Sequence, residues 1–305
     1  MSLIEKRTET SKSKSRLFIV GEDHCNESDQ RFKDRLVGFA SQGRIALGVE
    51  GLVRNRKAEQ AYVRAAYGIE NGLVFGIEDD LVNLYTGTIL HFNYLAHAAI
   101  QRSIGFVPQE MREAVLMAKV QLVYDATESE TMKTCWARIK ARDLPEKVKR
   151  LYGSIDAFII QNNGSKLEDR VRNFTSAQNK FGFLDDWAEL FKLLTSEIGT
   201  AVSDLPEDQR PDLEPIKRYL DDPRDNDAWD YIQNELNAGW RDRFLLKNIV
   251  EISEIASAKH VDSYVIVGEG HVRILSDMLA RTNPGLHTIS YDSSGSIPNE
   301  EIPGF

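Results

Sequence analysis

Residues 264–271 read YVIVGEGH, and this stretch near the end of the chain decides the fold. A close copy, LFIVGEDH, occupies residues 17–24, so an apolar run leads into a Gly-Glu-x-His motif twice. Apolar runs without polar alternation are typical of strands that are buried on both faces of a parallel sheet. The repeat therefore predicts that the two ends of the chain contribute strands to one sheet.

Two shorter runs of the same kind, at residues 45–47 and 73–75, lie between the copies and precede Glu50 and Glu78. The alternation continues with helical patterns over 29–39, 56–66 and 272–280 and a closing strand over 287–291. This order predicts an α/β fold with a small parallel or mixed sheet built from both chain ends, and with a large helical insertion or cap. We expect the second strand to lie beside the first.

The domain organisation follows from where the strand signal stops. Residues 80–260 show helical periodicity and almost no strand pattern. We therefore assign residues 1–15 to a mobile polar arm, 16–80 and 240–292 to the α/β core, 81–239 to the helical cap or insertion, and 293–305 to a flexible tail. Residues 81–101 carry no charge, but polar side chains interrupt them on all sides, which predicts a buried helix and no membrane span.

Composition narrows the class of function. The 38 Lys and Arg against 47 Asp and Glu give a net charge of −9, which disfavours nucleic acid as a partner. Cys25 and Cys135 are too few for a disulfide framework or a thiolate zinc site. The first 15 residues lack the apolar region of a signal peptide, so we expect a cytoplasmic protein that acts on a small molecule or a peptide. The oligomeric state is left open.

The candidate site lies where the strands end, because the carboxyl ends of parallel strands open into the crevice that binds ligands. We expect His24 and His271 there, with Glu22 and Glu269 of the same motifs. Glu50 and Glu78 follow neighbouring strands to the same rim, and the glycines would permit a sharp exit from each strand. These acids and imidazoles can act as general bases, orienting groups or metal ligands.

Several of these residues also have a simpler interpretation. Glu22 and Glu269 would favour the start of a following helix, and the acids next to Glu78 would cap one. Cys25 abuts His24, but no base is dedicated to it, so we expect a small buried side chain and no nucleophile.

A second element fits the same site. Residues 240–249 form a helical pattern in which Arg241 and Asn248 stand seven residues apart, on one face. Arg241 would clamp a substrate carboxylate or an oxyanion, and Asn248 would orient the substrate. The alternative is a solvated charged face.

Together these motifs resemble the superfamily that unites erythromycin esterase, the ChaN-like haem-binding proteins and the TraB/Tiki proteins. The resemblance covers residues 16–78 and 240–291. It implies that His24 and His271 are catalytic or metal-binding histidines, with Glu22, Glu50 and Glu269 beside them. It also implies that Arg241 and Asp242 are site residues on the supporting helix. The chain departs from TraB/Tiki proteins in lacking a membrane span, and from the haem-binding branch in lacking a lipoprotein signal.

Two functions of different classes are therefore expected. The first is a hydrolase of ester, lactone or peptide bonds, in which His24 or Glu22 deprotonates water. Alternatively His24, Glu50 and His271 hold a divalent metal of the Mn, Co or Zn class. The second function is a haem- or metal-binding protein without turnover. A dinucleotide enzyme is disfavoured, because Glu269 between two glycines would repel a pyrophosphate.

Overall fold

A computed structural model of the chain describes residues 15–22, 27–54, 59, 72–284 and 288–291. The chain divides into two compact units, which we call the sheet unit (Met1–Glu78 with Asp242–Phe305) and the helical unit (Asp79–Arg241). The predicted arm apart from Ser15, the predicted tail, and the predicted helix over 56–66 apart from Glu59 lie outside the described residues.

The sheet has five strands in the order β3-β2-β4-β1-β5, and every pairing is parallel. The strands are β1 (Leu17–Glu22), β2 (Ile45–Val53), β3 (Val74–Glu78), β4 (Asp262–Gly268) and β5 (Thr288–Tyr291). The predicted α/β class, with a sheet built from both chain ends, is confirmed.

The helices lie mostly between β3 and β4 in sequence. They are α1 (Glu27–Ser41), α2 (Asp80–Ser103), α3 (Gln109–Glu128), α4 (Glu130–Lys140), α5 (Glu146–Gln161), α6 (Leu167–Ala177), α7 (Leu184–Ser203), α8 (Leu213–Asp221), α9 (Asn226–Tyr231), α10 (Arg241–Ala258) and α11 (Glu269–Thr282). Short 3-10 helices follow α6 and α7, at Gln178–Lys180 and Glu207–Gln209. A π-helical segment, Ile232–Trp240, immediately precedes α10.

Helices cover both faces of the sheet, because successive side chains of a strand point to opposite faces. On one face Phe18, Val20 and Tyr264 form a core with α1. On the other face Ile19 and Val265 form a core with α10 and α11. Burial on both faces explains why the strands read as continuous apolar runs.

The strand order differs from the prediction that the second strand would lie beside the first. β4 lies between them, and its register pairs Glu22 of β1 with Gly268, and Val49 of β2 with Ile266. The apolar runs indicate burial but carry no information about which buried strand is the neighbour. The consequence is that Glu50, next to Val49, lies beside the second copy of the motif.

The strands also extend through glycines that the sequence suggested as points of sharp exit. β2 continues from Gly48 to Val53, and β1 includes Gly21 and Glu22. A Cβ on Gly48 would lie 2.9 Å from Ile77, 3.1 Å from Ile252 and 3.2 Å from Val265. The glycine at this position therefore permits close packing of β3, α10 and β4 and makes no turn.

The helical unit is built around α2, which packs along α7. α2 has a buried face that includes Leu84 and Ile89. The hydroxyls of Thr86 and Thr88 donate to the carbonyls of Val82 and Leu84 at 2.9 Å and 2.6 Å, so buried polar groups are satisfied within the helix. Within the described part of the chain, no helix has the length and apolar character needed to cross a membrane.

Candidate functional site

The candidate site begins at the junction of β2 and β4. The side chain of Glu50, only 10% exposed, reaches the end of β4, where its Oε2 accepts a hydrogen bond from the backbone N–H of Gly268. Gly268 is the N-cap of α11. The carboxylate is therefore fixed at the positive end of a helix, where a negative charge is favourable.

His271, in the first turn of α11, lies between two carboxylates. Its Nδ1 is 2.7 Å from Oδ1 of Asp242, and its Nε2 is 3.6 Å from Oε1 of Glu50. An ionised carboxylate only accepts hydrogen bonds, so this contact suits a ring with its proton on Nδ1, and in the neutral form of that ring the lone pair is on Nε2. We call Asp242, His271 and Glu50 the acid–imidazole row.

Asp242 is the most buried member of the row. Its side chain is fully buried, and its second oxygen, Oδ2, has no hydrogen-bond partner among the described residues. An unsatisfied buried polar atom costs about 1–3 kcal/mol. Among the described residues Asp242 shares this property with four other side chains, but it alone of them lies in the acid–imidazole row.

Helical and strand periodicity explain why these three side chains meet. Asp242 stands three and four residues before Leu245 and Leu246, so it shares the face of α10 that packs on the sheet. His271 stands four residues before Leu275 on the inner face of α11. Glu50 alternates with Val49, whose side chain packs toward α1, so Glu50 points to the opposite face, toward α10 and α11.

The other two strand acids point the other way. Glu22 shares the face of Val20, and its carboxylate forms an ion pair with Lys33 of α1 at 3.1 Å. Glu78 is fully buried, and alternation from Ile77 places it on the face away from α10. The acids expected to gather at one rim are therefore divided between the two faces of the sheet.

The two copies of the motif are not equivalent in three dimensions. In the sheet register Gly21 lies opposite Val267 and Glu22 lies opposite Gly268, so the copies are offset by one residue. Glu22 consequently belongs to a strand, whereas Glu269 is the exposed first residue of α11. Glu269 therefore lies at the start of a helix, as in the simpler interpretation of this residue. Among the described contacts, none joins Glu269 to Asp242, His271 or Glu50.

The residues predicted on α10 have different surroundings. The amide Nδ2 of Asn248 donates to the carbonyl of Ile77 at 2.9 Å, which ties α10 to the end of β3. Arg241 is half-buried and is the last residue of the helical unit. Its action on an oxyanion, and substrate orientation by Asn248, stay predictions.

His24 and Cys25 lie outside the described residues. Within the described ranges, no three His, Cys, Asp or Glu side chains group as a metal site. Nε2 of His271 and Oε1 of Glu50 nevertheless fit two ligands of a divalent ion. Asp242 fits the carboxylate that commonly holds such a histidine from behind. A third ligand would have to come from elsewhere, and His24 is the candidate that the sequence offers.

Haem also stays a prediction. A haem iron would bind Nε2 of His271, and the porphyrin needs free space around that nitrogen. Oε1 of Glu50 lies only 3.6 Å from Nε2, so the described geometry favours acid–base chemistry over a planar macrocycle.

The sequence did not indicate one further group at this end of the sheet. Arg54 bridges Oε1 of Glu59 at 2.6 Å and Oε1 of Glu251 on α10 at 2.8 Å. Burial lowers the pKa of Arg54, but the hydrogen bonds that Arg54 donates to the two carboxylates, together with their negative charges, outweigh burial and raise the pKa overall. Glu59 also accepts from the N–H of Gly76 at 3.0 Å. This network anchors β2, β3 and α10. The sequence did not indicate the network, because neither the alternation along β2 nor the neighbours of Arg54 in the sequence point to Glu59 or Glu251 as its partners.

The π-helical segment that ends at Trp240 is the other feature that periodicity did not reveal. Such segments are rare and occur frequently at functional sites, and this one ends directly before Arg241 and Asp242.

Comparison with known proteins adds no relative: no family model, no curated protein and no solved structure matches this chain.

Proposed function

We propose that the chain is a hydrolase of ester, lactone or peptide bonds in which His271 is the general base that activates water. The observation that carries the proposal is the 2.7 Å hydrogen bond between Nδ1 of His271 and the fully buried carboxylate of Asp242. A buried acid behind an imidazole is the arrangement that fixes the tautomer of a catalytic histidine.

The mechanism follows from the two nitrogens of the ring. With Nδ1–H donated to Asp242, Nε2 accepts a proton from water as the water attacks the carbonyl carbon. Asp242 stabilises the imidazolium that forms, and the proton then passes from Nε2 to the leaving group. The first turn of α11, where His271 lies, leaves N–H groups without partners inside the helix, and these suit the oxyanion of the tetrahedral intermediate.

A divalent ion held by His271 and Glu50, with a third ligand, would lower the pKa of a bound water and polarise the carbonyl. Elemental analysis of the purified protein, and activity before and after a chelator, decide between water activated by the histidine alone and by a metal. Either result keeps His271 and Asp242 in the site.

The test is a panel of p-nitrophenyl esters, lactones and short peptides, with the His271→Asn variant. Loss of a general base costs a factor of about 10²–10⁴ in rate, so we expect His271→Asn to fall by about that factor on any substrate that the chain cleaves. His260→Asn is the matched control. His260 is exposed and has a positive φ of 57°, which asparagine also adopts. Unchanged turnover in His271→Asn would overturn the proposal.

A further inference from the structure

The helical unit contains a cavity of about 450 Å³ that the proposed hydrolase chemistry does not use. It is lined by α2, by the loop after α2, by α3 and by the residues that begin α7. All of its lining residues belong to the helical unit. Its volume falls within the range of about 300–1,000 Å³ that is common for small-molecule sites.

Three cationic side chains line this cavity: Arg102, Arg112 and Lys119. None of the three forms an ion pair with an acid in the part of the chain that the structure describes. Arg112 and Lys119 stand seven residues apart on α3, which places them on one side of that helix. A group of unneutralised cations is unusual in a chain with a net charge of −9.

Contacts that leave their charge intact hold these side chains in place. Nζ of Lys119 lies 5.0 Å from the ring centre of the buried Trp187, and the guanidinium of Arg102 lies 5.7 Å from that of Phe183. Nε of Arg112 donates to the carbonyl of Val107 at 3.0 Å. Burial lowers the pKa of Lys119, which shows that its ammonium group gives up water without gaining a counterion.

Asp186, an acid beside the lining residue Gly182, makes its contacts with other groups. Oδ2 of Asp186 accepts from the N–H of Phe183 at 3.2 Å, and Oδ1 lies 3.9 Å from Nζ of Lys147. Asp186 therefore satisfies the start of α7, and within the described residues it forms no ion pair with the three cations.

The rest of the lining is apolar. Ala98, Val107, Val115 and Leu184 form the walls, and Phe183 is 68% exposed at the mouth. Ile104 and Phe106, in the loop that supplies Val107, are 76% and 63% exposed. Exposed apolar groups beside cations match a ligand that has both an anionic and an apolar part.

We propose that this cavity binds an amphipathic organic anion, with a phosphate, sulfonate or carboxylate head on Arg102, Arg112 and Lys119 and an apolar body along Val115 and Phe183. A free metabolite and the headgroup of an anionic lipid both have this chemistry. A merely solvated charged surface would show no preference for a ligand that carries both parts.

The experiment measures binding of octyl phosphate, below its micellar concentration, by isothermal titration calorimetry of the full chain. Inorganic phosphate and octanol supply the head and the body separately, and we expect each to bind at least about tenfold more weakly. Lys119→Met keeps an unbranched apolar side chain at this position, and Arg112→Gln changes an exposed residue of α3. Each is expected to weaken octyl phosphate about tenfold, the usual cost of one charge-assisted hydrogen bond.

Lys149→Met is the matched control, because Lys149 is exposed on α5 outside the cavity. We expect the affinity of this variant for octyl phosphate to stay within about twofold of that of the unchanged chain. Absence of octyl phosphate binding at millimolar concentration overturns the proposal, as does equal affinity in both cavity variants and the control. Sedimentation with vesicles of phosphatidic acid, against phosphatidylcholine, then identifies the source. Vesicle binding that Lys119→Met abolishes indicates a lipid, and binding of the soluble anion alone indicates a free metabolite.

Discussion

The two units differ in the partners of their buried ionisable groups, although the buried Glu197 of the helical unit is paired with Arg138 and Arg142. In the sheet unit such groups have partners: Glu22 has Lys33, Arg54 has Glu59, and Asp242 has His271. His91 and Lys119 of the helical unit, in contrast, have no counterion among the described residues, and burial lowers the pKa of each. Paired groups keep their charge and fix geometry, whereas unpaired groups change their protonation or remain open to a ligand. The hydrolase proposed above rests on the paired groups of the sheet unit, and the proposed anion site rests on the unpaired cations of the helical unit.

The largest expected effect comes from breaking the pairing in the acid–imidazole row. Asp242→Asn replaces an acceptor-only group with an amide, so Nδ1 of His271 loses the partner that fixes its tautomer. We expect hydrolysis to fall by a factor of about 10²–10⁴ while folding is retained. Nitrogen NMR of labelled histidine should show the proton of His271 on Nδ1 before the change and on Nε2 after it.

Asp277→Asn on α11 is the control for this change, because Asp277 is exposed and makes the same chemical exchange outside the row. Equal rates for Asp242→Asn and Asp277→Asn would show that the row is structural only.

The next effect concerns the pH dependence of the helical unit. Burial lowers the pKa of His91 to about 4, below the 6.5 of an unburied histidine. The unfolded chain therefore binds the proton more readily, and the stability gained from neutral His91 is fully present above pH 6.5 and lost as the pH falls toward 4. The shift corresponds to about 3 kcal/mol. His91→Phe should remove this loss, as measured by urea unfolding at several pH values.

Asp125 changes the stability of the helical unit with pH in the opposite direction to His91. The His91→Phe experiment therefore compares the free energy of unfolding of the variant with that of the unchanged chain at each pH. Burial raises the pKa of Asp125 to about 7, the hydrogen bond from Gln121 opposes this, and the nearby charge of Asp80 adds to it. Its contribution is present at low pH and is lost as the pH rises through 7. A pH profile of His91→Phe that runs parallel to that of the unchanged chain would contradict the assignment to His91.

A smaller effect tests the close packing that places Glu50 beside β4. Gly48→Ala introduces a Cβ within 2.9–3.2 Å of Ile77, Ile252 and Val265. Overpacking of this kind costs about 1–3 kcal/mol, which we expect as a lower midpoint of urea unfolding. Gly38→Ala is the control: a Cβ there meets nothing within 4 Å, and alanine favours the interior of α1. If Gly48→Ala is as stable as Gly38→Ala, the glycine has another purpose.

The smallest effect is expected from removing the Lys33–Glu22 ion pair, which lies on the face of the sheet opposite to the acid–imidazole row. Lys33→Met leaves Glu22 without its ion pair, and we expect a loss of about 1 kcal/mol, because both side chains are largely buried but not fully. The measurement is the free energy of unfolding in urea. A loss as large as that expected for an uncompensated buried charge, about 3 kcal/mol or more, would place Glu22 in a site as closed as that of Asp242.

The sequence predicted the class of the fold because burial on both faces leaves a visible trace, the continuous apolar runs at Phe18–Val20 and Tyr264–Val267. It also named Glu50, Asp242 and His271 among the candidate residues. It did not predict the strand order, because pairing between β4 and β2 depends on long-range contacts that local patterns do not encode. Nor did it predict that the side chains of Glu22 and Glu50 point to opposite faces of the sheet. The face to which a strand residue points depends on the register between strands, which only the folded sheet defines.

The cations of the cavity illustrate the same limit. The seven-residue spacing of Arg112 and Lys119 indicates that they share one face of a helix. Acidic residues lie nearby in the sequence, however, so the pattern resembles an ordinary solvated surface. Only the folded helices show that Asp186 turns to the start of α7 and that Arg102 joins the other two.

The strand order has a consequence for how the chain is made. β4 separates β1 from β2, so the first three strands cannot form a continuous sheet until residues 262–268 have emerged from the ribosome. The helical unit is one unbroken segment, 79–241, and it is complete before then. Local contacts form quickly and distant ones slowly. Synthesis therefore lets the helical unit fold, and β2 pair with β3, before β1 can join them, and Asp242, His271 and Glu50 come together only as the last quarter of the chain arrives.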